Sequence, residues 1–174
     1  TPQKIRNFIV TQAFEKINSL EESIRISDIA MGCGGFLFNA SIELKNRTGK
    51  TYSEIYRNDI FGLDIQEYSV TRTKLLLTLL ALQSGEDRNE FEFNLFQGDS
   101  LDFDWSSKVA DFNGFNIILG NPPYVCARNL DEATKEKLKN WEVCKSGNSD
   151  LYIPFFQIAI ENLTDNGILG FITM

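Results

Sequence analysis

The sequence predicts an α/β fold built on a doubly wound, mainly parallel sheet with helices on both faces. Segments with helical spacing alternate along the chain with short apolar runs, as expected when parallel strands are joined by helices. The run from Ile117 to Leu119 has no polar residue, which is typical of a strand covered on both faces. Several of these runs end in an acidic or amide side chain, so the polar groups are expected to gather at one edge of the sheet.

Four helices and five strands follow from the pattern. The predicted helices run from Thr1 to about Leu20, from Phe36 onward, from Tyr68 to Leu82 and from Leu151 to Leu163. Thr1 is expected to cap the first helix, with Pro2 at its first helical position. The predicted strands are Ile24 to Ala30, "IFGLD" ending at Asp64, "FEFNLFQGDS" ending near Asp99, residues 115–119, and "GILGFIT". The polar segment from Cys126 to Asp150 is long for a connection and is a candidate functional loop.

Composition indicates one domain over residues 1–174, because 43% of the residues are hydrophobic and no apolar run is long enough for a membrane span. No secretory leader is recognisable, and three widely spaced cysteines are expected to be reduced thiols, so a cytoplasmic protein is predicted. The formal charge of −7 argues against a self-sufficient nucleic-acid binder.

Histidine is absent from the chain. This excludes serine–histidine and cysteine–histidine nucleophile pairs and removes the commonest general base and metal ligand. The cysteines form no zinc pattern, so no metal site is predicted.

Four polar residues follow predicted strands and should converge on one crevice: Asp28, Asp64, Asp99 and Asn121. Taken singly, an aspartate at a strand end is more often a turn or helix cap than a ligand contact. The glycines after Asp28, "MGCGG", do not meet the dinucleotide fingerprint, because its third glycine would fall at Leu37. The four residues together therefore carry more weight than any one of them.

With the stretch "GNPPYV" added, the set resembles the S-adenosylmethionine-dependent amino-methyltransferases, specifically the N6-adenine DNA methyltransferases of restriction-modification systems. "TPQKIRNFIV", "DIAMGCGGFL", "GLDI" and "QGDSL" are similar to motifs of that family, and "DLYIPFFQIAI" resembles the helix that follows its catalytic motif. The resemblance implies a Rossmann-like methyltransferase fold, S-adenosyl-L-methionine as the cofactor and double-stranded DNA as the partner.

The resemblance also assigns residues. Those implied for catalysis are Asn121, Pro122 and Tyr124. Those implied for the cofactor are Thr1, Asp28, Ala30, Gly32, Gly34, Asp64, Ile65, Asp99, Ser100 and Asn121. Asp64 would accept hydrogen bonds from the ribose hydroxyls, and Asp99 would accept one from the adenine amine. Asp28 and the glycine turn would hold the methionine end of the cofactor. Asp64 follows the turn by more than the ~20 positions usual in nucleotide folds, so an insertion is expected at about residues 46–58.

The catalytic stretch suits an amine that is a poor nucleophile because its lone pair is delocalised into a ring. The Asn121 side-chain oxygen and the Pro122 carbonyl can accept the two amine hydrogens and turn the lone pair toward the methyl donor. The prolines hold the backbone in place, and Tyr124 offers an aromatic face to a base drawn out of its stack.

Other classes are separated by their motifs. A cytosine-C5 methyltransferase needs a Pro-Cys nucleophile, which the chain lacks. N4-cytosine enzymes more often have Ser or Asp before Pro-Pro-Tyr, and protein glutamine-N5 methyltransferases share Asn-Pro-Pro-Tyr, so both stay open. A non-catalytic subunit with a degenerate methyltransferase fold is a further alternative, suggested by the unusual "AMGCGG" turn.

Family members have seven strands, so this five-strand chain is expected to lack the carboxyl-terminal strands and the segment that reads DNA sequence. An isolated chain of this kind is expected to hold phosphates poorly and not to methylate DNA sequence-specifically. Its fifth strand would be an exposed edge, and self-association through that edge is predicted.

Overall fold

A computed structural model describes residues 1–17, 24–145, 147 and 149–173. They form a five-stranded sheet in which every pairing is parallel. The strands are β1 (Ile26–Asp28), β2 (Ile60–Asp64), β3 (Asn94–Gln97), β4 (Phe115–Gly120) and β5 (Leu163–Phe171). Their order is β3-β2-β1-β4-β5, so the chain starts in the middle of the sheet and winds outward in both directions. The predicted doubly wound α/β fold is confirmed.

Six α-helices occur in the described part of the chain: α1 (Gln3–Lys16), α2 (Gly35–Thr48), α3 (Tyr52–Asn58), α4 (Glu67–Gln83), α5 (Glu132–Leu138) and α6 (Tyr152–Glu161). The four predicted helices correspond to α1, α2, α4 and α6. The first helix was predicted too long: it ends at Lys16, with Ile17 in extended backbone, before the predicted end at Leu20, which itself lies outside the described residues. No helix of the described chain combines the length and the apolar character needed to cross a membrane.

The sequence prediction placed the start of α1 one residue too early. Pro2, not Thr1, occupies the N-cap position, with extended backbone and no side-chain cap. The Pro2 carbonyl accepts hydrogen bonds from the N–H groups of Ile5 and Arg6 at 3.1 and 3.2 Å. This leaves Thr1 outside the helix, at the carboxyl edge of the sheet.

Helices α3 and α5 were not predicted. Helix α3 lies in the segment where an insertion was expected, and the Thr51 hydroxyl and the Glu54 carboxylate form a capping box at its start. Helix α5 lies inside the predicted 126–150 loop and is capped by the Asp131 carboxylate, which accepts from the Thr134 N–H at 2.8 Å. Each helix has only seven residues, too few for a clear apolar period.

Three strands differ clearly from their predicted bounds. β3 spans only Asn94–Gln97, whereas it was predicted from Phe91 to near Asp99. β1 stops at Asp28 rather than Ala30, because the Asp28 carboxylate accepts the Ala30 N–H and starts a turn. β5 begins at Leu163 rather than Gly167, and its pairing with β4 shifts register between Phe115 and Ile117.

The core consists of two apolar layers, one on each face of the sheet. One contains α1 to α4 and is centred on Phe14, Leu37 and Tyr56, all almost fully buried. The other contains α5, α6 and an aromatic group around Trp105 and Phe115. Covering both faces holds the strand ends in fixed positions, which is the precondition for a built site at that edge.

Candidate active site

The sheet changes its direction of winding between β1 and β4, and the ends of these two strands are in contact. The Asp28 carboxylate lies against Gly120, where a Cβ atom would come within 3.0 Å of Asp28 Oδ1. Ligands of doubly wound sheets bind in the crevice outside the carboxyl ends of the strands at this switch point. In this chain two cavities open there, and Ala30 and Asn121 line both of them.

The first cavity has a volume of about 250 Å³ and lies over the ends of β2 and β3. Its walls are largely apolar, with a few polar groups. The lining residues are Ile29, Ala30, Asp64, Ile65, Gly98, Asp99, Ser100, Leu101, Asn121, Pro123, Thr134, Leu151 and Phe155. An apolar slot with acidic groups at its rim suits a flat heterocycle joined to a sugar.

The second cavity, of about 420 Å³, lies between the glycine turn and the start of α1. It is lined by Thr1, Arg6, Asp28, Ala30, Met31, Gly32, Cys33, Gly35, Phe36, Leu76 and Asn121. A positive and a negative side chain both face this space, so it suits a small zwitterion better than a heterocycle.

Asp28 is buried, with only 1% of its surface exposed. Burial raises the pKa of its carboxyl to about 7, opposed by the hydrogen bond that Oδ1 accepts from the Ala30 N–H at 3.0 Å and reinforced by the nearby Asp64 carboxylate.

The Asp64 carboxylate ties the glycine turn to the end of β2. Oδ2 accepts the Gly32 N–H at 2.8 Å, and Oδ1 accepts the Gln66 N–H at 2.9 Å. Each oxygen has a second acceptor position. The group can thus support the turn and still accept the hydroxyls of a ligand in the first cavity.

Asp99, beyond the end of β3, is held by α5. Oδ1 accepts the Leu101 N–H at 3.0 Å, and Oδ2 pairs with the Lys137 ammonium at 2.6 Å. Lys137 also pairs with Asp102 at 2.7 Å, and the two carboxylates raise its pKa well above the usual value. The next residue, Ser100, donates its hydroxyl hydrogen to the Ile29 carbonyl, which joins the ends of β3 and β1.

Asn121 follows β4 directly, and its side-chain oxygen is buried with no hydrogen-bond partner among the described residues. The Pro122 carbonyl also accepts no hydrogen bond from any residue that the structure describes. Buried acceptors are nearly always paired, and an unpaired one costs about 1–3 kcal/mol. The Asn121 oxygen is therefore available to a ligand at the boundary of the two cavities, and the Pro122 carbonyl is the next acceptor along the chain.

Tyr124 is fixed at the far end of the same turn. Its hydroxyl donates to the Ile172 carbonyl at 2.6 Å, and its ring lies 5.8 Å from that of Tyr152. Burial, followed by the neighbouring tyrosine, raises the pKa of this phenol. The ring is thus held by the end of β5 and the start of α6.

Most of the residues predicted for the cofactor line one of the two cavities. Gly34 lines neither: its φ of +73° shapes the turn before α2, and a Cβ atom there would collide with Thr73 at 2.4 Å. Pro122 and Tyr124 line neither cavity as well. The sequence prediction did not assign Arg6, Pro123 or Thr134 to the cofactor site. Arg6 and Pro123 lie within stretches that resemble family motifs, and Thr134 lies in α5, which was not predicted.

No group of three or more candidate metal-ligating side chains occurs in the part of the chain that the structure describes. Acidic groups near the cavities have backbone or lysine partners instead, as with Asp64 and Asp99.

Comparison with known proteins gives a family. The family model "Eco57I restriction-modification methylase" matches residues 58–174, about two thirds of the chain. Among curated proteins, the type II methyltransferase M.BstVI of Geobacillus stearothermophilus is 27% identical over 161 residues, which cover 87% of this chain and 28% of that protein. The chain spans between 18% and 28% of the length of the curated relatives it matches.

Solved structures share the fold. A Listeria monocytogenes protein described as a class I S-adenosylmethionine-dependent methyltransferase superposes with a TM-score of 0.69 at 18% identity, over 98% of this chain and 45% of that one. The ATP-dependent type ISP restriction-modification enzyme LlaBIII, bound to DNA, gives a TM-score of 0.73 at 17% identity, over 98% of this chain and 14% of that one. The predicted methyltransferase fold is thereby confirmed.

Proposed function

The chain belongs to the Eco57I restriction-modification methylase family, and on this premise we propose that it transfers a methyl group from S-adenosyl-L-methionine to the N6 amine of an adenine in DNA. Methylation within restriction-modification systems is the activity of the family; the base and the atom are our proposal. The observation that carries it is the buried, unpartnered Asn121 oxygen at the boundary of the two cavities. An acceptor in that position can hold the amine of a target base next to a cofactor bound in the cavities.

The residues present fit the cofactor. Asp64 and Asp99 would hold the adenosine part in the first cavity, with Ile65 against the base and Ser100 joining the strand ends. Asp28, Ala30, Gly32 and Thr1 would surround the amino-acid end in the second cavity. Bound S-adenosylmethionine would supply an electrophilic methyl group on a sulfonium.

The Asn121 side-chain oxygen would accept one hydrogen of the target amine, and the Pro122 carbonyl would accept the other. Two fixed acceptors turn the nitrogen lone pair out of conjugation with the purine ring. Pro122 and Pro123 restrict the backbone of the turn, so the acceptors need no reorganisation during the reaction. The methylated amine becomes acidic enough to lose its proton to water, and a histidine base is not required.

Tyr124 would stack on the target base after the base leaves the helix. Its hydroxyl is occupied by the Ile172 carbonyl, so the ring face is the part available to a ligand. Base-on-ring stacking contributes about 1–3 kcal/mol per base, which offsets part of the unstacking cost.

Residues 1–174 would act as one catalytic domain, with double-stranded DNA as the macromolecular partner. Support for DNA comes from restriction-modification enzymes such as LlaBIII, whose DNA-bound form shares this fold. The formal charge of −7 gives the chain little attraction for phosphates. We therefore expect base contacts at the cavity to outweigh backbone contacts in this chain.

The family match does not favour a protein-glutamine substrate or a non-catalytic subunit. A cytosine N4 amine would meet the same pair of acceptors, so the product must be identified directly. The test is to express the chain in a bacterial host without DNA methylation, and to analyse both its nucleosides and its proteins by mass spectrometry. We expect N6-methyldeoxyadenosine in cells with the wild-type chain and none with Asn121→Ala. N4-methyldeoxycytidine or methylated glutamine in its place would contradict the proposal.

A further inference from the structure

Arg6 lines the second cavity from the α1 side. It makes no ion pair among the described residues, as is also true of Arg25 and Arg72, whereas Arg57 pairs with Glu92. Arg6 differs from these arginines because its side chain faces the second cavity. Its positive charge is therefore open to an anionic ligand there.

The hydrogen bonds of the Arg6 guanidinium are incomplete. One terminal nitrogen, Nη1, donates to the Thr1 carbonyl. The inner nitrogen Nε is buried and has no partner among the described residues. A buried donor on a charged group is costly to leave unpaired, because the desolvation penalty is not repaid.

The glycine turn makes room for this guanidinium. A Cβ atom on Gly35 would come within 2.9 Å of Arg6 Nε and within 3.1 Å of Arg6 Cζ. Gly35 is the first residue of α2 and its conformation is ordinary helix, so its lack of a side chain is needed for this contact and not for the backbone. The turn and the first helix thus bring the guanidinium to the wall of the second cavity.

From these contacts we propose that Arg6 binds the α-carboxylate at the amino-acid end of the cofactor. The proposal rests on the proposed function, since it assigns a residue to the methionine part of the ligand. A guanidinium presents parallel N–H donors that match a carboxylate, and such charge-assisted bonds are among the strongest that proteins make. Asp28 lines the same cavity and would meet the ammonium group of the same ligand.

The experiment compares two ligands that differ only in the carboxylate: S-adenosylhomocysteine and its decarboxylated counterpart. Their dissociation constants are measured by calorimetry for the wild type, Arg6→Gln, Arg6→Lys and the control Arg57→Gln. Arg6→Gln should weaken the binding of S-adenosylhomocysteine by about 10- to 100-fold, the usual range for a charged hydrogen bond. It should leave the affinity for the decarboxylated ligand unchanged. The affinity of Arg6→Lys for S-adenosylhomocysteine should lie between those of the wild type and Arg6→Gln, because lysine keeps the charge but loses the paired donors. Arg57→Gln should bind both ligands as the wild type does.

Equal weakening of both ligands by Arg6→Gln would assign Arg6 a structural role and overturn the inference. So would unchanged binding of both ligands together with weaker binding of an oligonucleotide, which would place Arg6 on a DNA phosphate. In both cases the wild type still binds S-adenosylhomocysteine and the proposed function stands. If the wild type binds neither ligand, the proposed function fails and the assignment of Arg6 fails with it. Should Arg6→Gln be unfolded, Arg6→Lys and the wild-type preference between the ligands decide the matter.

Discussion

Asp28 ends β1 and Asn121 follows β4 at the switch point of the sheet, and the Asp28 side chain and the Asn121 side-chain oxygen are both buried. Asp28 is stabilised in its neutral form, because burial raises the pKa of the carboxyl to about 7. Asn121 has no charge to lose, and its oxygen is unpaired among the described residues. Each residue therefore lowers the stability of the unliganded protein in a way that a ligand can reverse.

Asp28 predicts a dependence of stability on pH. Its folded pKa is raised, so the native state holds a proton between about pH 4 and pH 7 that the unfolded state has lost, and stability falls over that range. The free energy of unfolding should fall by roughly 4 kcal/mol relative to Asp28→Asn as pH rises through about 7. Urea unfolding at several pH values measures this, with the exposed Asp165→Asn as the control. Parallel pH profiles for the wild type and Asp28→Asn would contradict the raised pKa.

Two substitutions of Tyr124 distinguish a stacking role of its ring from a hydrogen-bonding role of its hydroxyl. Tyr124→Phe loses the bond to the Ile172 carbonyl and should cost about 1 kcal/mol of stability while keeping most of the affinity for a flipped base. Tyr124→Ala should lose about 1–3 kcal/mol of binding to a single-stranded adenine oligonucleotide. Fluorescence titration beside thermal unfolding provides both readouts. Equal oligonucleotide affinity for the two variants would exclude stacking.

Helix α5 shows how a short element can complete a site. Its only buried residue is Leu138, so apolar packing alone holds it weakly to the domain. Lys137 compensates by pairing with Asp99 and Asp102, and Thr134 then lines the first cavity. One face of the proposed adenosine site thus depends on a lysine bridge.

Replacing Lys137 should therefore affect ligand binding more than folding. Lys137→Met should weaken the binding of S-adenosylhomocysteine severalfold. Asp99 loses the contact that fixes its carboxylate, and α5 loses the ion pairs that attach it to the domain. Lys139→Met is the matched control, because its ammonium pairs with Glu136 on the solvent side of the same helix. Calorimetry on both variants is the measurement. If the two variants bind alike, α5 does not support the cavity.

Helices and strands with a clear apolar period were predictable from the sequence, and those without one were not. The buried run before Asn121 and the apolar residues of α4 indicated β4 and α4 almost to the residue. Helices α3 and α5 begin with side-chain caps and have only seven residues each, so their signals are local. The polar groups at the strand ends were found because the topology of parallel strands places them at one edge. Arg6 and Lys137 could not be found, because their contacts depend on how α1 and α5 pack.

At the scale of the whole molecule, the sheet has two uncovered edges, β3 and β5, in the part of the chain that the structure describes. β5 is the longer strand, and most of its residues are half-buried rather than covered. An apolar edge with unpaired backbone groups recruits other strands. Self-association through β5 is therefore a prediction of the fold.

The molar mass in solution tests this prediction. Light scattering over a concentration series should show a mass that rises from 19.8 kDa toward twice that value. Asn166→Lys places a lysine on the exposed part of β5 and should reduce self-association, because charges on an edge strand oppose its pairing with another strand. Glu161→Lys, at the end of α6, is the control for added charge. A constant monomer mass at every concentration would contradict self-association.

If Asn121 presents the acceptor for the target amine, its replacement must slow methyl transfer itself, which single-turnover kinetics measure. Labelled S-adenosylmethionine, excess protein and a short single-stranded oligonucleotide library remove the cost of base flipping. We expect Asn121→Ala to keep its cofactor affinity and to lose no thermal stability while its rate falls by about 10²–10³-fold, with Asn140→Ala unchanged. A normal rate for Asn121→Ala would show instead that the Asn-Pro-Pro-Tyr stretch is only a rigid turn.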